Sequence, residues 1–355
     1  MPDAIWIDQD TELPALAKIL EAADGDGIGL DTEFLREKTF FPKLCLLQLA
    51  ASGQIWCVDT IKGGDLKTLV PVLTAAHTPK IIHSARQDLE AFYLTTQRII
   101  SPVFDTQIAA GCIGLKPQVG YAELVKTYLN VTLTKGQTRT DWSKRPLTTA
   151  QLDYAADDVL YLGEIAQRLK RRLAELGREH WVLEDCAALE DPQLYEPDPA
   201  LAWMKLRGIA QLEPTPRARA KVIAVWREKA ARERDLPRSW ILSDTDIFSM
   251  AHTSPTDMDD SVDKTLRQAL TTPLQSTDID QEPSQDARPT PAQKIVLDKL
   301  VKAVDKRAAE LQVSAEILAP RGELKALAMG KRDSHALHGW RRTEIGDALL
   351  VHLNQ

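Results

Sequence analysis

The stretch GIGLDTEF at residues 27–34 decides the fold of the first half of the chain. It is a short apolar run bounded by glycine, and it carries two carboxylates, Asp31 and Glu33. LCLLQLA (44–50) and IWCVDT (55–60) have the same character, so the sequence predicts three neighbouring strands. Side chains two apart on a strand project from one face, and Asp31 and Glu33 are therefore predicted to face the same way.

Further elements follow this strand group along the chain. KIIHSA (80–85) is predicted as a strand, with a helix from residue 87 to about residue 95. The stretch 147–176 has apolar residues at helical spacing and is predicted as one long amphipathic helix, N-capped by Thr148 or Thr149. This order indicates a mixed α/β sheet covered by helices.

The second half of the chain has a different composition. Strand patterns end near residue 198, and residues 198–270 are predicted to form a small helical domain. Residues 271–293 are rich in Pro, Ser, Thr, Gln and Asp and read as a linker. A second helical domain is predicted at 294–355, beyond this linker. The domain that precedes both helical domains is predicted at 1–195.

Charge is unevenly distributed over the 355 residues, whose net charge is −7. Residues 1–195 carry 20 basic and 27 acidic side chains, whereas residues 199–242 carry 10 basic and 4 acidic ones. Such a division fits an acidic, metal-using domain joined to modules that grip nucleic acid, although solvated helix faces explain the same counts. No signal peptide or membrane span is predicted, and the four cysteines are far apart, which favours a cytoplasmic protein.

Asp31 and Glu33 are costly to bury together because like charges repel and lose hydration. A hard divalent cation removes that cost, whereas a half-solvated strand edge is the alternative explanation. Asp88 follows the strand at 80–85, where it could bind a metal or simply favour a helix N-terminus, and Glu90 competes with it as a ligand.

Tyr154 and Asp158 lie four residues apart on the long predicted helix, so they share one face. They could be a plain surface pair. Beside a metal site, however, the phenol could orient a water while Asp158 holds an ion. Asp153 and Asp157 are predicted to be solvated.

Taken in order, these four carboxylates and Tyr154 resemble the DEDD superfamily of 3′→5′ exonucleases, in its tyrosine-bearing subgroup. Residues 5–195 closely resemble the bacterial ribonuclease D family through the motifs GLDTEF, FPKLCLLQLA, HSARQDLEAF, FDTQIAA, RTDWSKRPLT and YAADDVLYL. Residues 198–270 resemble an HRDC domain, and residues 291–355 resemble a second, more diverged one. The resemblance implies a ribonuclease H-like α/β exonuclease domain followed by two small all-α HRDC-type domains.

The resemblance also implies the reaction, which is two-metal hydrolysis that trims 3′ extensions of tRNA precursors and releases nucleoside 5′-monophosphates. Asp31, Glu33 and Asp158 would hold one divalent ion, Mg²⁺ or Mn²⁺, and Asp31 with Asp88 would hold the second. Tyr154 would position the attacking water and help to deprotonate it.

RNA contacts are predicted from position and charge. Phe34 and Leu35 beside the ligands are candidates to wedge or stack against terminal bases, with a core role as the alternative for Phe34. Asp105 is predicted to cap a helix, and His83 to be a core residue or to support a ligand. The phosphate-contact candidates are basic residues in a loop and on a helix, namely Lys135, Arg139, Lys144 and Arg145, and Arg217, Arg219, Lys221 and Arg227.

Other functions stay open at this point. The rivals are a 3′→5′ DNA exonuclease of repair, a catalytically silent RNA-binding protein, and a zinc phosphoesterase, against which the scarcity of histidine near the carboxylates counts. We expect a monomer whose partner is RNA and not a membrane.

Overall fold

The structure is a computed structural model, and it describes residues 4–23, 27–133, 140–259, 263–271 and 289–354. The chain divides into two compact units. The first unit comprises Met1–Leu35, Lys43–Tyr195 and Pro289–Gln355, and the second comprises Arg36–Pro42 and Glu196–Arg288. The two predicted end domains therefore belong to one unit.

A mixed sheet forms the centre of the first unit, as the sequence predicts. Its strands are β1 (Ile5–Ile7), β2 (Ile28–Leu35), β3 (Lys43–Ala51), β4 (Gln54–Asp59), β5 (Lys80–Ile82) and β6 (Val103–Asp105), in the order β1-β4-β3-β2-β5-β6. β3 runs antiparallel to both of its neighbours, β2 and β4, and the other pairs are parallel. β2, which carries Asp31 and Glu33, therefore lies inside the sheet.

Helices of the first unit surround this sheet. In the first unit they are α1 (Leu13–Glu21), α2 (Val70–Leu73), α3 (Arg86–Thr96), α4 (Thr106–Cys112), α5 (Tyr121–Leu129), α6 (Thr149–Leu160), α7 (Leu162–Leu176) and α8 (Glu179–Leu189). The second unit has α9 (Pro214–Glu233), α10 (Arg238–Ile241), α11 (Asp244–His252) and α12 (Lys264–Thr271). The first unit ends with α13 (Pro291–Leu311), α14 (Ala315–Leu318), α15 (Arg321–Ala328), α16 (Gly339–Arg341), a π-helical turn (Arg342–Gly346) and α17 (Asp347–Leu353).

The single long helix predicted over residues 147–176 is wrong, because the structure has two helices, α6 and α7, that meet at Tyr161. The backbone N–H of Tyr161 donates to the Tyr121 hydroxyl, 3.2 Å away. The N–H of the residue at the joint thus has a partner outside the helix, as N–H and C=O groups at helix ends commonly do. Thr148 is the N-cap of α6, and it forms a capping box with Gln151.

Residues 289–354, called the C-terminal module below, share one hydrophobic core with the helices that cover the sheet. Trp340 of α16 stacks on Trp181 of α8 with ring centroids 4.0 Å apart, and the Arg341 guanidinium binds Asp185 through two hydrogen bonds. α13 begins at Pro291, so the predicted linker ends before residue 293. Most of that linker, residues 272–288, lies outside the described residues.

The second unit is helical throughout its described residues and has a separate small core. The segment Arg36–Pro42 belongs to it because the Asp235 carboxylate accepts the backbone N–H groups of Phe40 and Phe41, each at 3.0 Å. The Arg238 guanidinium lies 4.4 Å from the centre of the Phe40 ring. No helix in the described parts of either unit combines the length and apolar character needed to cross a bilayer.

Candidate active site

Three carboxylates meet at the centre of the first unit. Asp31 and Glu33 come from one face of β2, and Asp158 comes from α6, which packs over that part of the sheet. One oxygen from each lies within 4.8 Å of the others, and all three side chains are half-buried. The three residues predicted to hold the first divalent ion, Asp31, Glu33 and Asp158, therefore lie together.

Asp88 lies next to this group but is held differently. Its buried carboxylate accepts hydrogen bonds from the Thr32 hydroxyl at 2.5 Å and from the Thr32 backbone N–H at 3.1 Å. Thr32 stands between Asp31 and Glu33 on β2, so β2 itself fixes the position of Asp88. Asp88 is not part of the 4.8 Å cluster among the described residues, and neither is Glu90.

Asp105 holds the loop that precedes Asp88. Its carboxylate accepts from the backbone N–H groups of Gln107 and Ile108 at the start of α4, which confirms the predicted capping role. It also accepts from the N–H groups of Ser84 and Ala85, at 3.1 and 2.8 Å. Because one buried carboxylate serves four donors, the strand end before Asp88 is rigidly attached to β6 and α4.

Tyr154 shares a helix face with Asp158, as predicted, and its hydroxyl and the Asp158 carboxylate lie near enough to shift each other's pKa. Desolvation and the nearby negative charges of Asp158, Glu33 and Asp31 raise the pKa of Tyr154. In the metal-free protein Tyr154 is therefore a neutral phenol.

The carboxylates themselves bind protons more tightly than usual. Desolvation, together with the charges of Asp158 and Asp88, raises the pKa of Glu33 to about 9. Desolvation is also the first cause that raises the pKa of Asp158 and of Asp88, each to about 7, and the pKa of Asp31 is raised by desolvation and by its three acidic neighbours. This site is short of positive charge.

A hard divalent cation fits that shortage, because it prefers oxygen ligands and would neutralise the repulsion. A second observation supports the fit. Gln48 stands directly opposite Asp31 in the β2–β3 pairing, is fully buried, and neither polar atom of its amide has a hydrogen-bond partner in the described part of the chain. A buried amide of this kind ordinarily bonds an ordered water or ion, such as the hydration water of a cation beside Asp31.

Cation binding at this site is expected to strengthen as the pH rises. Below about pH 7 the metal-free site holds protons on Asp158 and Asp88, and Glu33 holds one up to about pH 9. A cation must displace them, so the apparent affinity for Mn²⁺ should rise about tenfold per pH unit for each proton released. Calorimetric titration with Mn²⁺ at pH 6, 7 and 8 measures this, and a constant affinity over that range would contradict it.

The residues predicted to contact RNA near the active site have three different outcomes. Phe34 and Leu35 end β2 half-buried, each packed against the edge of a hydrophobic cluster. Lys135 and Arg139 lie outside the described residues. Arg145 is wrongly assigned to phosphate, because its guanidinium binds within the protein, to Asp59 and to backbone carbonyls.

The predicted basic residues of α9 also have partners inside the second unit. Arg217 donates to the Leu212 carbonyl at 2.7 Å, Arg219 donates to the Thr253 carbonyl at 3.0 Å, and the Lys221 ammonium lies 4.0 Å from the centre of the Trp203 ring. The Arg227 guanidinium is buried and pairs with Asp244 at 2.7 Å. RNA contact by Arg217, Arg219 and Lys221 stays a prediction.

Some residues at or near the site are not predicted from the sequence. Thr32, the anchor of Asp88, carries no charge, and its only signal is its place between two acidic residues. Tyr121 is another: its hydroxyl accepts from the Tyr161 backbone N–H, and desolvation and the charges of Asp158 and Asp31 raise its pKa. Asp157, predicted to be solvated, is buried, and desolvation raises its pKa. The ring Nδ1 of His83 lies 2.9 Å from the Thr106 hydroxyl.

Two family models match the chain. One, described as a 3′-5′ exonuclease, matches residues 4–174, and the other, described as an HRDC domain, matches residues 217–260. The first range contains all four carboxylates and Tyr154. One HRDC match is found, so the second HRDC-type domain stays a prediction.

Relatives match over nearly the whole chain. Ribonuclease D of Xanthomonas oryzae is 38% identical over 96% of this chain and 96% of its own length, and ribonuclease D of Gluconacetobacter diazotrophicus is 33% identical over 99% and 93%. The crystal structure of Escherichia coli RNase D, described as an exoribonuclease involved in structured RNA processing, superposes with a TM-score of 0.86 at 27% identity, covering 99% of this chain and 98% of that one.

Proposed function

The chain belongs to the ribonuclease D family of 3′→5′ exoribonucleases, and we propose that it removes 3′ extensions from tRNA precursors one nucleotide at a time. The observation that carries the proposal is the meeting of Asp31, Glu33 and Asp158 beside Tyr154, in a chain that matches ribonuclease D from end to end. The E. coli relative, described as acting in structured RNA processing, supports a folded RNA substrate.

Each residue of the site has a proposed task. Asp31, Glu33 and Asp158 would hold one divalent ion, and Asp31 with Asp88 would hold a second. Bound ions would neutralise the carboxylates and supply Lewis acidity next to the scissile phosphate. The role of Thr32 is to keep the Asp88 carboxylate turned toward β2.

Tyr154 would act by hydrogen bonding. Its phenol, one helical turn from Asp158, would position the attacking water and help to deprotonate it. Water adds to the terminal phosphorus and the bond to the 3′ oxygen of the penultimate nucleotide breaks. The water's proton is balanced by protonation of that oxygen, which leaves a nucleoside 5′-monophosphate and a new 3′ hydroxyl.

A time course on a tRNA precursor with a 3′ extension, labelled at its 5′ end, tests this function. We expect a ladder of one-nucleotide steps that starts at the 3′ end, needs Mg²⁺ or Mn²⁺, and slows near the mature terminus, where the folded acceptor stem resists entry. The released product should be nucleoside 5′-monophosphate, identified by chromatography.

A single-stranded DNA of the same sequence as the 3′ extension, compared with the matching RNA, is the control for sugar specificity. Equal rates on DNA and RNA would favour the rival DNA exonuclease. Internal cleavage, or binding of the precursor with no shortening at any metal concentration, would contradict the proposed function.

A further inference from the structure

The loop that leads into α6 is tied to the sheet by one side chain. Arg145 has five N–H donors, and all five bind within the first unit. Nε and Nη2 donate to the Asp59 carboxylate at 2.6 and 2.7 Å, Nη2 also donates to the Cys45 carbonyl at 2.8 Å, and Nη1 donates to the carbonyls of Trp142 and Lys144. Nothing of this guanidinium is left for a phosphate.

The anchor point lies at the level of the active site. Asp59 ends β4, and in the strand pairing it stands opposite Leu46, which itself stands opposite Glu33. The Asp59 side chain is fully buried, and although desolvation would raise its pKa, the hydrogen bonds from Arg145 hold that pKa below its ordinary value. The ion pair is therefore a fixed, charged clamp two strands away from a carboxylate of the site.

Trp142 connects this clamp to the catalytic tyrosine. Its carbonyl accepts from Arg145, and its buried ring lies 6.1 Å from the Tyr154 ring, centre to centre, at 38°. The two rings close a small hydrophobic cluster with Ala155 and Cys57 between α6 and the sheet. The Trp142 indole N–H has no hydrogen-bond partner in the described part of the chain, so packing alone holds the ring.

We propose that Arg145 is a positioning residue for the exonuclease reaction: clamped to Asp59, it fixes Trp142, and Trp142 fixes the Tyr154 ring beside Asp158, one helical turn away. This inference rests on the proposed role of Tyr154. Arg145 would thus support the reaction without contacting RNA.

Arg145→Lys is the first test, because it keeps the charge but loses the five-donor fork. We expect kcat to fall about 10-fold or more, as is usual when a group that orients an active-site residue is lost, while KM for RNA stays within about 2-fold of the wild-type value. Lys62→Met removes an exposed cation beside the same strand end, whose side chain pairs with Asp8, and should leave both constants unchanged. A raised KM with unchanged kcat would overturn the proposal, since it would mean that Arg145 contacts RNA.

The second test separates positioning from a general loss of stability. If Arg145 acts through Tyr154, Arg145→Lys should slow the wild type but not slow a Tyr154→Phe variant any further. Independent, multiplying losses in the double variant would overturn the proposal. A Tyr154→Phe variant as fast as the wild type would instead contradict the proposed function of Tyr154, so the two failures are distinguishable.

Trp142→Phe gives the same test if Arg145→Lys does not fold. It leaves the ion pair intact, and no hydrogen bond is lost because the indole N–H has none within the described residues. Its kcat should also fall in the wild-type background and not in the Tyr154→Phe background. If Trp142→Phe lowered kcat by the same factor in the wild-type and Tyr154→Phe backgrounds, the proposal would also be overturned.

Discussion

Asp31→Asn is expected to lower the rate of nucleotide release more than about 100-fold in saturating Mg²⁺ or Mn²⁺, with RNA binding retained. Asp31 is proposed to serve both ions, and its carboxylate lies with those of Glu33 and Asp158 within the 4.8 Å cluster. An amide keeps the size of the side chain but offers a neutral, weaker ligand oxygen. Single-turnover release of nucleoside 5′-monophosphate, together with a binding isotherm for the same RNA, measures both effects.

The same variant should be more stable than the wild type when metal is removed. The pKa of Asp31 is raised by desolvation and by Asp88, Asp158 and Glu33, so at any pH above its ordinary pKa this carboxyl group destabilises the metal-free fold. Removing the charge should raise the unfolding temperature in EDTA, and added Mn²⁺ should raise it less than in the wild type.

Asp153→Asn is the matched control, because it makes the same charge change at an exposed position of α6. It should change neither the rate nor the response to Mn²⁺. If Asp31→Asn released nucleotides at the wild-type rate, or if Asp153→Asn lost as much of that rate as Asp31→Asn, the assignment of the site would be contradicted.

The sequence predicts the site well where local spacing governs geometry. Asp31 and Glu33 share a face because strand side chains alternate, and Tyr154 and Asp158 share one because they are a helical turn apart. Both pairs are found as expected. The Thr148 cap and the role of Asp105 follow from equally local rules.

What the sequence does not predict depends on contacts between distant residues. Arg145 looks like any basic residue of a polar loop, and only the fold brings it to Asp59, 86 residues earlier. At Tyr161, where α6 ends, the backbone N–H contacts the hydroxyl of Tyr121, 40 residues away. Burial of Asp157 likewise depends on neighbours that no helical pattern specifies.

The C-terminal module shows the same limit on a larger scale. Composition separates it by a linker from the helical domain at 198–270, which itself follows the first domain, and so the sequence suggests an independent body. The structure instead gives it a common core with the helices that cover the sheet, closed by the stacked rings of Trp181 and Trp340. Their exposed fractions are 2% and 3%. The module thus packs as part of the exonuclease unit.

Trp340→Ala is therefore expected to lower the free energy of unfolding of the first unit by about 3–5 kcal/mol, the usual cost of truncating a buried tryptophan. The change removes the stacked ring and the indole N–H bond to Asp185, 3.0 Å long, and it opens a cavity between the module and α8. Scanning calorimetry should show the transition of the first unit shifted down, with the transition of the second unit unmoved.

Trp240→Ala is the control, since that tryptophan is 60% exposed on α10 of the second unit, and its loss should cost within about 0.5 kcal/mol. Trp340→Phe keeps an aromatic ring on Trp181 and gives up the hydrogen bond to Asp185, so its cost should be about 1 kcal/mol. A shared core therefore predicts that the loss in free energy of unfolding declines in the order Trp340→Ala, Trp340→Phe, Trp240→Ala. If Trp340→Ala cost no more than Trp240→Ala, the module would fold independently of the sheet domain, and its packing on α8 would contribute nothing to the stability of the enzyme.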